Sequence, residues 1–62
     1  MTRNSVIHKD SQIGKNVKIG SFCTIGANVS IDDGCIIHDN VIINGNVKIK
    51  NNVEIFPFVS IG

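Results

Sequence analysis

Two histidines are the side chains of this 62-residue sequence best suited to acid–base or metal chemistry. His8 and His38 each follow an isoleucine and lie thirty residues apart. An imidazole titrates near neutral pH, so it serves as a general base or a metal ligand. A zinc site needs three or four converging ligands, and no second cluster of His, Cys or Asp residues supplies them here. We interpret both histidines as exposed or corner residues, and we expect no catalytic residue, no metal site and no cofactor site.

Carboxylates and thiols are the other candidates for chemistry. Asp32, Asp33 and Asp39 could suggest a carboxylate pair, but they fall where turns are expected, and aspartate in a turn caps its own backbone. Cys23 and Cys35 are twelve residues apart, on different sides of the repeat described next. That placement is poor for a disulfide, so we expect buried free thiols that act as small hydrophobic groups.

The strands that position these residues are predicted by a six-residue repeat in the sequence. Isoleucine recurs without substitution at positions 7, 13, 19, 25, 31, 37, 43, 49, 55 and 61, and a small or β-branched residue follows each isoleucine four positions later, except the last. A helix would scatter residues six apart around its axis, whereas a strand points residues two or four apart to one side. A fixed six-residue period is typical of a β-helix, in which three sides close a coil of eighteen residues.

The residues between these positions predict the corners. Asparagine or glycine occurs three residues after six of the isoleucines, and both types tolerate positive φ; the positions are Asn16, Asn28, Gly34, Asn40, Asn46 and Asn52. Asn44-Gly45 would normally predict a hairpin turn, but the period continues through it, so we interpret it as a corner. The sequence predicts an all-β fold: a parallel β-helix of about three and a half coils without a helical cap, with residues 1–62 as one truncated domain.

The aromatic residues predict an exposed apolar surface. Phe22 and Phe58 differ by thirty-six residues, which is two whole coils, so both should lie on one edge with Asn40 between them. Ile36 and Ile42 are apolar at positions that face outward. Such patches usually mark an interface, so we expect subunit packing here, with a ligand groove as the alternative.

Charge and hydropathy exclude some classes of function. The net charge is +1 and the charges are scattered, which argues against binding to nucleic acid. No segment approaches the length of an apolar membrane span, and residues 1–9 lack the apolar region of a signal peptide. We therefore expect a cytoplasmic protein.

Three segments resemble the UDP-N-acetylglucosamine O-acyltransferases, a branch of the hexapeptide acyltransferase superfamily. Residues 19–26, IGSFCTIG, are similar to that family's IGPFCxIG coil; residues 41–45, VIING, to its VVVNG stretch; and residues 55–62, IFPFVSIG, to its IFPFASIG segment. Val6-Ile7-His8 resembles the VHP opening. Lys9 and Ser21 depart from the pattern, because each replaces a proline.

The resemblance implies a left-handed coil, a homotrimer, and transfer of a hydroxyacyl group from acyl carrier protein to UDP-N-acetylglucosamine in lipid A synthesis. In that family about two hundred further residues supply the catalytic histidine and the sugar contacts, and neither His8 nor His38 matches the catalytic position. The resemblance therefore implies an N-terminal fragment that is inactive alone, and leaves open whether this chain is an enzyme. The alternatives are a fragment of another hexapeptide sugar acyltransferase or acetyltransferase, a non-catalytic trimerising solenoid, and a functional His38 at a subunit interface.

Overall fold

The six-residue period folds into ten short strands separated by corners. The structure is a computed structural model, and it describes residues 4–62. The strands are β1 (Val6–Ile7), β2 (Gln12–Ile13), β3 (Lys18–Ile19), β4 (Thr24–Ile25), β5 (Val29–Ile31), β6 (Ile36–Ile37), β7 (Ile42–Ile43), β8 (Val47–Ile49), β9 (Glu54–Ile55) and β10 (Ser60–Ile61).

Each strand pairs in parallel with the strand three positions along the chain. The sheets are β1-β4-β7-β10, β2-β5-β8 and β3-β6-β9, which we call faces A, B and C. The register joins residues eighteen apart, as in the pairs Ile7–Ile25 and Ile25–Ile43. Ten strands on three faces make three coils and one further strand, and no helix occurs within residues 4–62. The predicted parallel β-helix is confirmed. Its left-handed sense stays a prediction from the resemblance.

The isoleucine column and the small-residue column fill the interior together. Ile25, Ile31, Ile37 and Ile43 are no more than 1% exposed, and Cys23, Val29, Cys35 and Val41 are equally buried. Burial of an isoleucine side chain contributes about 1.5–3 kcal/mol. The predicted inward position is only partly realised at Ile13 and Val53, which are 37% and 36% exposed. Both lie in the outer described coils, where a neighbouring coil covers them on one side.

The corners confirm most of the expected left-handed backbone conformations. Asn16, Asn40, Asn52 and Gly34 have φ between 58° and 75°. The prediction is wrong for Asn28 and Asn46, which are absent from the residues with positive φ. At the Asn46 corner the preceding Gly45 turns instead, with φ of 83°, whereas no residue at the Asn28 corner has positive φ. Strands β5 and β8, which follow these corners, begin one residue earlier than the others. Asn44-Gly45 is therefore a corner within a parallel ladder, as predicted.

Carboxylates connect adjacent coils at two corners. The Asp39 carboxylate accepts a hydrogen bond from the Ser21 N–H at 2.8 Å, and the Asp33 carboxylate accepts one from the Lys15 N–H at 2.8 Å. The partners are eighteen residues apart, so each aspartate caps the preceding coil. Our expectation that these aspartates cap their own backbone was wrong, because the sequence pattern does not show how close the next coil lies.

Candidate functional site

The edge between faces C and A carries the cluster best placed to do chemistry. We call it the aromatic edge, and it comprises residues 20–22, 38–40 and 56–58. The His38 Nε2 lies 2.7 Å from the Glu54 Oε2. The imidazole also stacks on Phe56, with ring centroids 5.6 Å apart and an interplanar angle of 10°. Phe56 follows His38 by eighteen residues, so the coil repeat itself superimposes the two rings.

The geometry of this cluster fixes the orientation of the imidazole. Glu54 holds one ring nitrogen and Phe56 covers one ring face, which leaves Nδ1 for a further partner. A carboxylate that orients an imidazole is an arrangement suited to accepting a proton. The His38 side chain is 36% exposed and that of Glu54 is 46% exposed. Because solvent screens a pair this exposed, it contributes only about 0–1 kcal/mol to stability.

Apolar side chains surround His38 on the surface. Phe22, Phe56 and Phe58 are 58%, 62% and 81% exposed, and Ile36 and Ile42 flank them on faces C and A. The predicted exposed apolar surface is therefore present. The Asn40 N–H donates to the Ser21 carbonyl and the Phe58 N–H donates to the Asp39 carbonyl, so the corners at positions 22, 40 and 58 are stacked as expected.

Two of these phenylalanines have a backbone conformation that is costly for their residue type. Phe22 has φ of 59° and Phe58 has φ of 64°. A left-handed conformation costs an ordinary L-residue about 1–2 kcal/mol. Such outliers persist where a function or the surrounding structure requires them. Because both side chains are mostly exposed, packing within this chain offsets little of that cost.

The other candidates are separated from this edge. His8 lies at the edge between faces A and B, where its Nδ1 accepts a hydrogen bond from the Asp10 N–H at 3.1 Å. The two histidines therefore occupy different edges, as predicted. Within residues 4–62 no group of three His, Cys, Asp or Glu side chains could hold a metal ion.

Both cysteines are free and buried, as expected. The Cys23 thiol donates to the His38 carbonyl at 3.0 Å, and the Cys35 thiol donates to the Lys50 carbonyl at 2.9 Å. These bonds fix each thiol against the next coil, so neither cysteine belongs to the surface cluster.

The sequence pattern singles out His38 as a candidate but does not reveal its partners, Glu54 and Phe56. Glu54 and Phe56 lie sixteen and eighteen residues after His38. The eighteen-residue repeat places position 56 directly next to position 38 in the adjacent coil, and this is the signal that could have predicted the stacking of His38 on Phe56. The contact with Glu54 depends on side-chain rotamers, and the sequence carries no signal for those.

The fold and its repeat define the class of protein. Parallel coils of three six-residue units, with isoleucine inside and asparagine or glycine at the corners, make a hexapeptide-repeat β-solenoid. The family model for the bacterial transferase hexapeptide (six repeats) matches residues 4–35, just over half of the chain. The chain belongs to this family.

The remaining comparisons add no relative. Neither the search of curated proteins nor the search of solved structures finds a match to this chain. The described part of the chain contains no helix long and apolar enough to cross a membrane.

Proposed function

We propose that this chain supplies the β-helix of a trimeric acyltransferase that transfers a hydroxyacyl group from acyl carrier protein to the 3-hydroxyl of UDP-N-acetylglucosamine, the first step of lipid A synthesis. Membership of the hexapeptide transferase family supports the general class. One observation supports the finer assignment. The two phenylalanine-containing segments that resemble the UDP-N-acetylglucosamine O-acyltransferases, 19–26 and 55–62, contribute Phe22 and Phe58 to the same exposed edge.

The aromatic edge would serve as the interface between subunits. Hexapeptide-repeat proteins commonly form trimers, and such an interface would bury the side chains of Phe22, Phe56 and Phe58. Aromatic residues are enriched in interface cores. The gain from covering them would offset the strain at Phe22 and Phe58. The proposed partner is therefore a second copy of this chain.

Acyl transfer needs a base for the sugar hydroxyl and donors for the oxyanion. His38, oriented by Glu54, has the properties of a base. The amides beside it, however, are already used between coils, because the His38 N–H donates to the Ile55 carbonyl and the Asn40 N–H donates to the Ser21 carbonyl, each at 2.9 Å. We therefore assign no catalytic residue, and we expect the 62-residue chain alone to be inactive.

An acyl-transfer assay tests the proposal. The protein isolated from its source cells and the 62-residue chain would each be incubated with hydroxyacyl-acyl carrier protein and UDP-N-acetylglucosamine, and product measured by mass spectrometry. We expect acylated UDP-N-acetylglucosamine from the native protein and none from the 62-residue chain. The intact mass of the native protein, measured on the same sample, identifies the polypeptide that is assayed. Robust turnover by the short chain would contradict the expectation of inactivity.

The strained phenylalanines also favour a second candidate, a trimerising solenoid without catalysis. That candidate predicts a native protein that is trimeric yet inactive with every acyl donor and sugar acceptor offered. A native protein that is inactive with UDP-N-acetylglucosamine but acylates another sugar would instead be a different hexapeptide transferase. Both results would overturn the first proposal.

A further inference from the structure

The corner at Asn44-Gly45, where face A turns into face B, is the part of the chain best suited to spontaneous backbone chemistry. Asparagine is a chemically labile residue, because the backbone amide that follows it can attack its side chain. A glycine amide is the least hindered nucleophile, since glycine has no Cβ. Asn44 and Gly45 are both exposed. A Cβ on Gly45 would have no atom within 4 Å, so no neighbouring coil crowds this amide.

The sequence repeat hinders the same reaction at most other asparagines. In the hexad, the corner asparagine precedes the small inward position, and valine fills that position after five of them: Asn16, Asn28, Asn40, Asn46 and Asn52. A β-branched side chain crowds its own backbone, so valine obstructs attack by its amide. Asn4 and Asn51 precede a serine and an asparagine, which also carry a Cβ. Asn44 alone precedes a glycine.

Asp33-Gly34 shows how the fold can restrain a pair of this kind. Aspartate followed by glycine undergoes the same ring closure in a flexible chain. Here, however, the Gly34 N–H donates to the Lys15 carbonyl at 2.9 Å, and the Asp33 carboxylate accepts from the Lys15 N–H at 2.8 Å. The preceding coil therefore holds both reacting groups. Among residues 4–62, by contrast, the Gly45 N–H donates to no backbone carbonyl, so the nucleophile at Asn44 is free of such a restraint.

We propose that Asn44 is a site of deamidation in the folded protein, with isoaspartate as a product that distorts the coil. The Gly45 nitrogen attacks the Asn44 Cγ and forms a bond to it. Solvent carries the amide proton to the side-chain nitrogen, which leaves as ammonia. Water then opens the cyclic succinimide. Cleavage of the new bond gives aspartate, whereas cleavage of the original peptide bond gives isoaspartate, in which the main chain passes through Cβ and Cγ.

Isoaspartate would lengthen the main chain by one carbon between two ladders. Before this corner, β7 pairs Ile43 with Ile61; after it, β8 pairs Val47 with Val29. Ile43 is 0% exposed and Ile49, at the end of β8, is 8% exposed. Neither strand can shift along its ladder without moving a buried side chain, because register determines which residues face the core. We therefore expect the added carbon to destabilise the fold.

Incubation of the freshly purified protein at mildly alkaline pH tests this inference, because base removes the amide proton. Peptide mapping by mass spectrometry locates each modified residue and distinguishes isoaspartate from aspartate. We expect Asn44 to react before any other asparagine, and several-fold more slowly in Gly45→Ala. If Gly45→Ala does not fold, Gly45→Asn gives the same comparison, because asparagine tolerates positive φ and carries a Cβ. Asn46→Gln is the matched control and should leave the rate at Asn44 unchanged.

A parallel incubation in urea separates the folded corner from the bare Asn-Gly sequence. Modification of Asn44 in urea but not in buffer would overturn the inference, as would earlier reaction of Asp33 or another asparagine in buffer.

The predicted distortion is tested on the isoaspartate form after its separation by ion exchange. Its urea midpoint should lie below that of Asn44→Asp, which carries the same new charge on an unaltered main chain. Equal midpoints would contradict the distortion. None of these measurements involves acyl transfer, so they are independent of the proposed function.

Discussion

Phe22 and Phe58 occupy a corner position that asparagine fills at position 40 of the same edge. All three residues have φ near 60°, but asparagine adopts this conformation at much lower cost than phenylalanine. The aromatic side chains are also 58% and 81% exposed, so they contribute little to the core of one chain. The corners at Phe22 and Phe58 are therefore less stable than the same corners would be with asparagine.

Replacing Phe58 with asparagine should therefore stabilise a single chain. We expect the free energy of unfolding of Phe58→Asn to rise by about 1 kcal/mol, because asparagine relieves most of the left-handed strain. Urea denaturation followed by circular dichroism, at concentrations where the protein is monomeric, measures this. Asn52→Gly, at the same register of another edge, is the control for a corner substitution. A clear loss of stability in Phe58→Asn would show that the phenylalanine packs within its own chain.

Gly20 is required for a different reason, the close approach of the next coil. A Cβ at this position would meet the Asp39 carboxylate, and it would lie 2.9 Å from the Asp39 backbone nitrogen. Gly20→Ala should destabilise the fold by about 1–3 kcal/mol, the range for overpacking. Gly45→Ala is the comparison, because its Cβ would have no atom within 4 Å and only its φ of 83° is unfavourable. No loss of stability in Gly20→Ala, measured by its denaturant midpoint, would show that the two coils can move apart to admit the Cβ.

At the scale of the strand, the position of an isoleucine in the stack of coils determines how much its burial contributes to stability. Ile37 in β6 has a coil on either side and is 1% exposed, whereas Ile13 in β2 is 37% exposed. Ile37→Ala should cost about 2–5 kcal/mol, in the range measured for buried isoleucine. Ile13→Ala should cost clearly less, because part of its surface is already in water. Thermal or urea unfolding of both variants tests this, and similar losses would mean that Ile13 is more buried in solution.

The elements themselves follow from the sequence almost completely. Isoleucine at every sixth position specifies which residues point inward, and the eighteen-residue repeat specifies which strands pair. The corners at Asn28 and Asn46 could not be predicted: at Asn46 the preceding Gly45 takes the positive φ, and at Asn28 neither that residue nor the preceding Ala27 does. The His38–Glu54 contact was missed for a similar reason. Repeat position places Glu54 in β9 on face C, beside the edge that carries His38, but their hydrogen bond depends on side-chain rotamers.

At the scale of the whole molecule, the aromatic edge should control assembly. A trimer would have three times the 6.7 kDa of one chain, or 20.1 kDa. We expect the Phe22→Asn/Phe58→Asn variant to shift sedimentation towards the monomer, because it removes the exposed aromatic surface while keeping a folded coil. Analytical ultracentrifugation over a range of concentrations measures the shift. Unchanged association of the double variant would place the interface elsewhere. The control variant Asn52→Gly should associate like the unmodified chain.

The parallel register of eighteen residues also limits how chains of this kind can change in length. An insertion of one residue between β4 and β5 would send every later isoleucine out of the interior column. Six added residues would keep isoleucine inside but move each later corner to the next edge, so His38 and Phe22 would no longer share one. Only a whole coil of eighteen would preserve each edge and face. Length variation among chains built this way should therefore occur in steps of a coil, or as loops that leave and rejoin at one corner.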